Sequence, residues 1–136
     1  MKVPRGIRNK NPGNLIISAI PWYGKVPVNK NTDGKFEQFV MMEFGIRAMM
    51  MDIRSDIRKK GMDTVQKLIS SYAPPNENDT KSYINAVAKS IGIGKDNPLT
   101  SDRKTLTDLV GAIIQHENGG MWGITEEQIN RAYDLL

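Results

Sequence analysis

Apolar residues recur at intervals of three and four along most of this chain, and that spacing predicts a protein built mainly from helices. Between Met42 and Lys60 the positions Ile46, Met50, Ile53 and Ile57, flanked by Met49, form the stripe of an amphipathic helix expected to end at Gly61. A shorter helix from Thr64 to Ser71 buries Val65, Leu68 and Ile69 and is stopped by Pro74-Pro75. Asn78, Asp79 and Thr80 offer capping side chains to the next, whose stripe is Tyr83, Ile84, Val87, Ala88 and Ile91 and whose end falls near Gly92 and Gly94. Ser101 or Thr100 is expected to cap a helix running to about Glu117, and Thr125 with Gln128 has capping-box spacing for a last helix through Ile129, Ala132, Tyr133 and Leu136.

The first 34 residues follow a different pattern. Asn11-Pro12-Gly13-Asn14 and Thr32-Asp33-Gly34 are strong turn signals, so long regular elements are not expected there. The alternation in Lys35-Phe36-Glu37-Gln38-Phe39-Val40 predicts a short strand, with Leu15-Ile16-Ile17 as its partner. The expected fold class is therefore mainly α, within an α+β arrangement: about five helices beside a small irregular N-terminal lobe carrying a short β-hairpin. The run Met49-Met50-Met51 is assigned to the core, because methionine fills irregular gaps readily.

Composition narrows the classes of function. At 136 residues, with 39% apolar and 25% charged residues, the chain reads as one compact domain spanning residues 1–136, without repeats or low-complexity linkers. The absence of cysteine and the presence of one histidine close off disulfides and leave no metal site; no cofactor is expected. No uncharged apolar run approaches the roughly 18 residues of a membrane helix, and Met1-Lys2-Val3-Pro4-Arg5 is not a signal peptide, so no membrane insertion and synthesis in the cytoplasm are expected. The net charge of +4 suits any polyanion, the bacterial wall and nucleic acid alike. Arg58, Lys59 and Lys60 fall at a helix C-terminus, where the dipole accounts for cations, and no recognition helix or finger is evident, so no nucleic-acid partner is expected.

One carboxylate stands out. The stripe Leu106, Leu109, Val110, Ile113 and Ile114 leads, at its next steps, to Glu117. A carboxyl that ends a buried ridge is partly stripped of water, which favours the protonated form needed by a general acid. Asn118-Gly119-Gly120 then allows a sharp turn that leaves the side chain facing a cleft. The same residues also fit a frayed, solvated helix end. His116 is assigned to the helix dipole and given no catalytic role.

A resemblance bears on that choice. Arg5-Gly6-Ile7-Arg8-Asn9-Lys10-Asn11-Pro12-Gly13-Asn14-Leu15, Trp22-Tyr23-Gly24, Phe36 to Phe39, Gly45-Ile46-Arg47-Ala48, Tyr72-Ala73-Pro74-Pro75-Asn76-Glu77-Asn78-Asp79-Thr80, Tyr83-Ile84 and His116-Glu117-Asn118-Gly119 resemble a phage and prophage family of virion-associated or endolysin-type lysozyme-like proteins, over nearly the whole chain. Tyr72-Ala73 followed by Thr80, Tyr83 and Val87 is similar to the late tyrosine and Glu-Thr-x-x-Tyr-Val-x-x-Val segments of lytic transglycosylases, with Asp79 in place of the glutamate. The segment Ile113 to Gly119 resembles the catalytic-glutamate helix end of lysozyme-like and glucosaminidase-like enzymes, and Asn11 to Ile16 resembles the segment that follows that glutamate. The order here is reversed, which implies a circularly permuted lysozyme-like domain in which Glu117 and the Asn11–Asn14 turn face one another.

The resemblance implies a monomeric peptidoglycan-cleaving glycosidase, a lytic transglycosylase or muramidase acting on the bond from N-acetylmuramic acid to N-acetylglucosamine, with Glu117 as general acid and base. It further implies peptidoglycan as partner, association with a phage virion, and Asn14, Trp22, Tyr72, Glu77, Thr80 and Tyr83 as substrate-binding residues. Glycosidases usually use two carboxylates, for which Asp33 and Glu77 are the candidates here; transglycosylases manage with one. Trp22 and Tyr23 are expected either to stack on sugar rings or to pack under their loop. The alternative is a non-catalytic virion or wall-binding protein with the same fold.

Overall fold

The computed structural model describes residues 2–73 and 79–136. Among them are six helices: α1 (Arg5–Arg8), α2 (Met42–Lys59), α3 (Val65–Tyr72), α4 (Thr80–Ile91), α5 (Arg103–Asn118) and α6 (Glu126–Asp134). The five longer ones are those that the periodicity predicts. The four-residue α1 is additional; it lies in the segment read as turns.

Helices α2 and α5 form the centre, with α2 packed on α3, α5 and α6, and α5 on α1, α4 and α6. Their predicted stripes meet: Ile46, Met49, Met50 and Ile53 of α2 and Leu106, Leu109, Val110, Ile113 and Ile114 of α5 are fully buried. Burying each such side chain stabilises the fold by about 1.5–3 kcal/mol relative to exposing it. Met49 and Met50 are core residues as expected, whereas Met51 is half-exposed.

The helix ends show why each element stops and starts where it does. Thr64, Asp79, Asp102 and Thr125 cap α3, α4, α5 and α6 through their side-chain oxygens, and Thr125 with Gln128 forms the reciprocal capping box. The cap of α5 is Asp102, not Ser101 or Thr100. Lys60 closes α2, Gly61 follows with φ 68°, and Gly92 and Gly119 end α4 and α5 in the left-handed conformation.

The predicted antiparallel pairing of 15–17 with 35–40 is present, but as a single bridge and not as two regular strands. Among the described residues the lobe contains only two isolated antiparallel bridges, Ile16 with Phe36 and Lys25 with Phe39. Segment 35–40 runs between two neighbours, pairing with 15–17 through Ile17 N to Lys35 O and Glu37 N to Leu15 O (2.9 Å each), and with 24–26 through Val26 N to Gln38 O and Val40 N to Gly24 O (2.7 and 3.0 Å). Side chains take the place of a ladder: Asn11 Nδ2 donates to Leu15 O and Glu37 O at 3.0 Å each, and Asn31 Nδ2 to Phe36 O at 3.0 Å. The lobe is pressed hard onto the helices, since a Cβ at Gly45 of α2 would collide with the Lys10 carbonyl.

Candidate active site

Glu117 sits in the last turn of α5, half-buried, immediately before Asn118 and the left-handed Gly119. Asn118 is buried; its amide donates to Pro12 O at 2.9 Å and to Ile114 O at 3.0 Å, tying the helix end to the N-terminal lobe. Trp122, which holds a φ of 51°, donates from Nε1 to Asn118 O at 2.8 Å and braces the same end from the other side.

The Asn11–Asn14 segment is a turn closed by Asn14 N donating to Asn11 O at 3.0 Å, with Pro12 and Gly13 at its corners. Asn14 follows with φ 52°, a conformation that asparagine tolerates better than most residues. That backbone aims its side chain at α5, where Asn14 Nδ2 donates to Glu117 Oε1 at 3.0 Å. Gly6 makes the approach possible: a Cβ there would lie 2.7 Å from Asn118 Oδ1 and 2.9 Å from Asn14 Oδ1. Glu117 and the turn thus face one another, an arrangement that the resemblance leads one to expect.

Two tyrosines complete the surroundings. The Tyr72 hydroxyl donates to Gly13 O, and burial followed by the negative charges of Glu117, Asp52 and Asp56 pushes it well above the ordinary phenol range. Tyr83 is buried beneath His116, whose ring stacks on it with centroids 3.8 Å apart. Burial first, then Glu117 and Tyr72, raise the Tyr83 hydroxyl too. It feels Glu117 as a nearby acceptor, yet forms no contact of hydrogen-bonding geometry among the described residues. Both phenols therefore remain proton donors at any physiological pH.

Glu117 opens onto a hollow of about 440 Å³ lined by Gly13, Asn14, Ile16, Lys35, Phe36 and Tyr72. Gly13, Asn14, Ile16 and Tyr72 also line a second hollow of about 310 Å³, which runs past Trp22 to Asp52, Asp56 and Lys60. Ile20, Trp22, Asp52 and Lys60 are shared in turn with a third, of about 330 Å³, that reaches Arg54, Arg58 and Lys59. The three form one groove, each part within the size range of ordinary ligand sites. A roomier hollow of about 790 Å³ among α4, α5 and α6 shares no lining residue with the groove, and its charged pair Lys104 and Asp108 is closed by an ion pair of 2.7 Å.

Of the residues expected at the site, Asn14, Tyr72, Trp22 and Glu117 line the groove, and Tyr83 lies under its floor. Thr80 does not line it: its hydroxyl donates to Ala73 O at 2.7 Å at the start of α4. Glu77 lies outside the described residues. Tyr23 is 64% exposed, packs edge-on against Phe44 and is absent from the groove.

Asp33 is not available as a second carboxylate. It accepts from Arg5 Nε and Nη2 at 2.7 Å each, from Asn9 Nδ2 at 2.8 Å and from the backbone N–H groups of Lys35 and Phe36 at 3.1 and 2.9 Å. The Arg5 guanidinium, chiefly, holds it far below the usual carboxylate range. Its work is to fold the lobe.

No protein-family model matches the sequence. Over 133 residues, 96% of this chain and 80% of the relative, it is 32% identical to Protein P5 of Pseudoalteromonas phage PM2. The chain belongs to the family of that phage protein.

Several residues that matter at the site gave no periodic signal. Asp52, on α2, is half-buried in the groove, and burial followed by the charge of Asp56 raises it above the ordinary range. Glu37 is fully buried and pairs with Lys25 at 2.9 Å. Lys25 Nζ also donates to Ser18 O and Ile20 O at 3.0 Å each, and Ser18 N donates back to Glu37 at 3.2 Å, so this pair holds the loop that carries Trp22. Gly6 and Asn118, which set the spacing of the turn from Glu117, are legible as part of the family-like motifs but their role is visible only in three dimensions.

Proposed function

We propose that this chain is a peptidoglycan-cleaving glycosidase of lytic transglycosylase type, on a circularly permuted lysozyme-like scaffold, with Glu117 as its acid and base. The observation that carries the reading is the Glu117 carboxyl at the end of a buried ridge, held at 3.0 Å by Asn14 and opening onto the groove. In the proposed cycle Glu117 donates its proton to the oxygen linking N-acetylmuramic acid C1 to N-acetylglucosamine, and the C1–O bond breaks. The resulting carboxylate takes the proton of the muramic C6 hydroxyl as that oxygen closes onto C1. Glu117 is returned protonated, a 1,6-anhydro ring is formed and no water is consumed.

The surroundings suit that cycle. Asn14 fixes one carboxylate oxygen, and the Tyr83 hydroxyl, which has no acceptor among the described residues, lies near enough to feel the Glu117 charge, while the Tyr72 hydroxyl is committed to Gly13 O and holds the turn. Phe36 lines the first hollow and Trp22 the next, two aromatic residues along the groove that suit contact with sugar rings. Among the described residues no second carboxylate lines the hollow around Glu117, with Glu77 lying outside them, and attack by the substrate's own hydroxyl needs none. Relationship to a phage protein supports action at a bacterial wall.

Purified peptidoglycan treated with the protein and analysed by mass spectrometry tests this. Anhydromuramic ends are expected, together with a loss of roughly a hundredfold or more for Glu117→Gln at unchanged stability. Reducing ends would replace transglycosylation by hydrolysis, and a wild-type protein that yields no product while still sedimenting with the wall would be a non-catalytic wall-binding or virion component.

A further inference from the structure

The far end of the groove carries a charge pattern that the fold does not explain. Arg54, Arg58, Lys59 and Lys60 line the third hollow against one carboxylate there, Asp52, whereas the hollow at Glu117 has Lys35 alone to balance that acid. The helix dipole accounts for cations within the last turn of α2, and Arg54 lies before it. Arg54 and Arg58 are also spaced i,i+4, where like charges disfavour a helix. Arg58 Nε is engaged by the Ser101 hydroxyl at 2.7 Å and Lys60 by Asp56 at 3.4 Å; Arg54 and Lys59 have no ion pair among the described residues. Two free cations and two more with spare donors thus face a hollow that joins, through Trp22, the groove leading to Glu117.

We infer that the Arg54–Lys60 end of the groove binds the carboxylates of the peptide stem that hangs from the glycan, so that the protein prefers strands bearing stems to bare ones. This rests on the reading of the groove as a glycan site. The sugar backbone, its lactyl groups amide-linked to the stems, is neutral and gives four cations nothing to pair with, whereas each peptide stem carries several carboxylates. The pairing is charge-assisted and partly solvated, so it falls with salt. Trp22 marks the boundary between the sugar-facing and the stem-facing parts.

The test measures sedimentation and cleavage with intact sacculi and with strands stripped of stems by an amidase, which leaves a single lactyl carboxylate on each muramic acid in place of the several of a stem, for the wild type and for Arg54→Gln/Lys59→Gln. The wild type is expected to favour stem-bearing material by roughly fivefold or more at low salt. The double variant should lose that preference, with an unchanged melting temperature. Equal preference in wild type and variant, or none in the wild type, overturns the inference while leaving the glycosidase reading intact. If the wild type neither binds nor cleaves stripped or intact strands, the glycan reading fails and the inference with it. Tighter binding of duplex DNA than of sacculi at the same salt would reassign the cationic end to nucleic acid and overturn it as well.

Discussion

Asn14 and Glu117 are 103 residues apart in sequence and are joined by a hydrogen bond of 3.0 Å, donated by the asparagine amide. Two features of Asn14 meet there: a left-handed backbone, φ 52°, and a side chain that reaches the acid. They can be separated by substitution. Asn14→Gly keeps the backbone and removes the amide, so stability should change by less than about 0.5 kcal/mol while turnover falls by roughly ten- to a hundredfold. Asn14→Ala removes both and should cost about 1–2 kcal/mol as well. Thermal melts and turnover measured on the two variants check this; equal stability of Ala and Gly would mean the backbone conformation is not strained.

Gly6 and Gly111 make a matched pair for a second prediction. Both are helical, and alanine is the better helix former by about 1 kcal/mol. At Gly111 the nearest atom to an added Cβ is Ile129 Cδ1 at 4.0 Å, so Gly111→Ala should stabilise by about 0.5–1 kcal/mol. At Gly6 the Cβ would meet Asn118 Oδ1 at 2.7 Å and Asn14 Oδ1 at 2.9 Å. Overpacking of that kind costs about 1–3 kcal/mol, exceeds the helix gain, and pushes on the two residues that set Glu117. Gly6→Ala is expected to lower both the melting temperature and turnover, and Gly111→Ala neither.

The helices were readable because their stripes and stops agree: Ile46, Met50 and Ile53 leave one face of α2 apolar, and Gly61, Gly92 and Gly119 end their helices or follow them in the conformation only glycine adopts cheaply. The cap of α5 was misread by one residue because Thr100, Ser101 and Asp102 all carry a suitable oxygen. The choice falls to the backbone, which is fixed upstream by Leu99 N donating to Asp63 O at 2.7 Å. The pairing of 15–17 with 35–40 is legible in the alternation, but the shortness of the ladder is not, because the Asn11 and Asn31 side chains take backbone carbonyls that a longer ladder would use. At the site, Glu117 was legible as the end of a stripe, and its partner turn through resemblance. Asp52 and the Lys25 and Glu37 pair lie on polar or irregular segments with no period, so only the fold reveals that they face the groove or support it.

That pair yields a third prediction. Lys25 and Glu37 are 2.9 Å apart with side chains 13% and 0% exposed, and one Glu37 oxygen has no partner. Removing one member strands the other charge, so Lys25→Met is expected to destabilise by about 3–5 kcal/mol. Combining it with Glu37→Gln, which keeps an acceptor for Ser18 N, should recover a substantial part of the loss. Chemical denaturation of the single and double variants decides; additive losses would show that the two side chains act independently.

Acid stability should depend on Asp33. Its folded-state acidity is strengthened, chiefly by Arg5, so the folded protein holds the carboxylate in a range where the unfolded chain already binds a proton. A lowered value stabilises the fold above the unfolded pKa of about 3.9, and that contribution is lost as pH falls from there through the folded value. The wild type should therefore lose stability between about pH 4 and pH 2, and Asp33→Asn should be less stable at pH 7 and show a flatter slope in that window. Denaturation midpoints across the range provide the check, and parallel slopes would count against the ion pair.

Tyr83→Phe separates packing from chemistry most cleanly. The ring is 1% exposed and stacks on His116, and phenylalanine preserves both features. The hydroxyl is buried with no hydrogen-bond partner among the described residues, so its removal relieves a desolvated polar group instead of breaking a bond. Stability is expected to hold or rise by up to about 1 kcal/mol. Turnover should fall, because the buried hydroxyl lies near enough to feel the Glu117 charge and has no other acceptor among the described residues to hold its proton as that charge develops in the proposed cycle. A structural tyrosine would give the opposite pair of results, with stability lost and turnover per folded molecule unchanged; melting curves and rates normalised to folded protein distinguish the two.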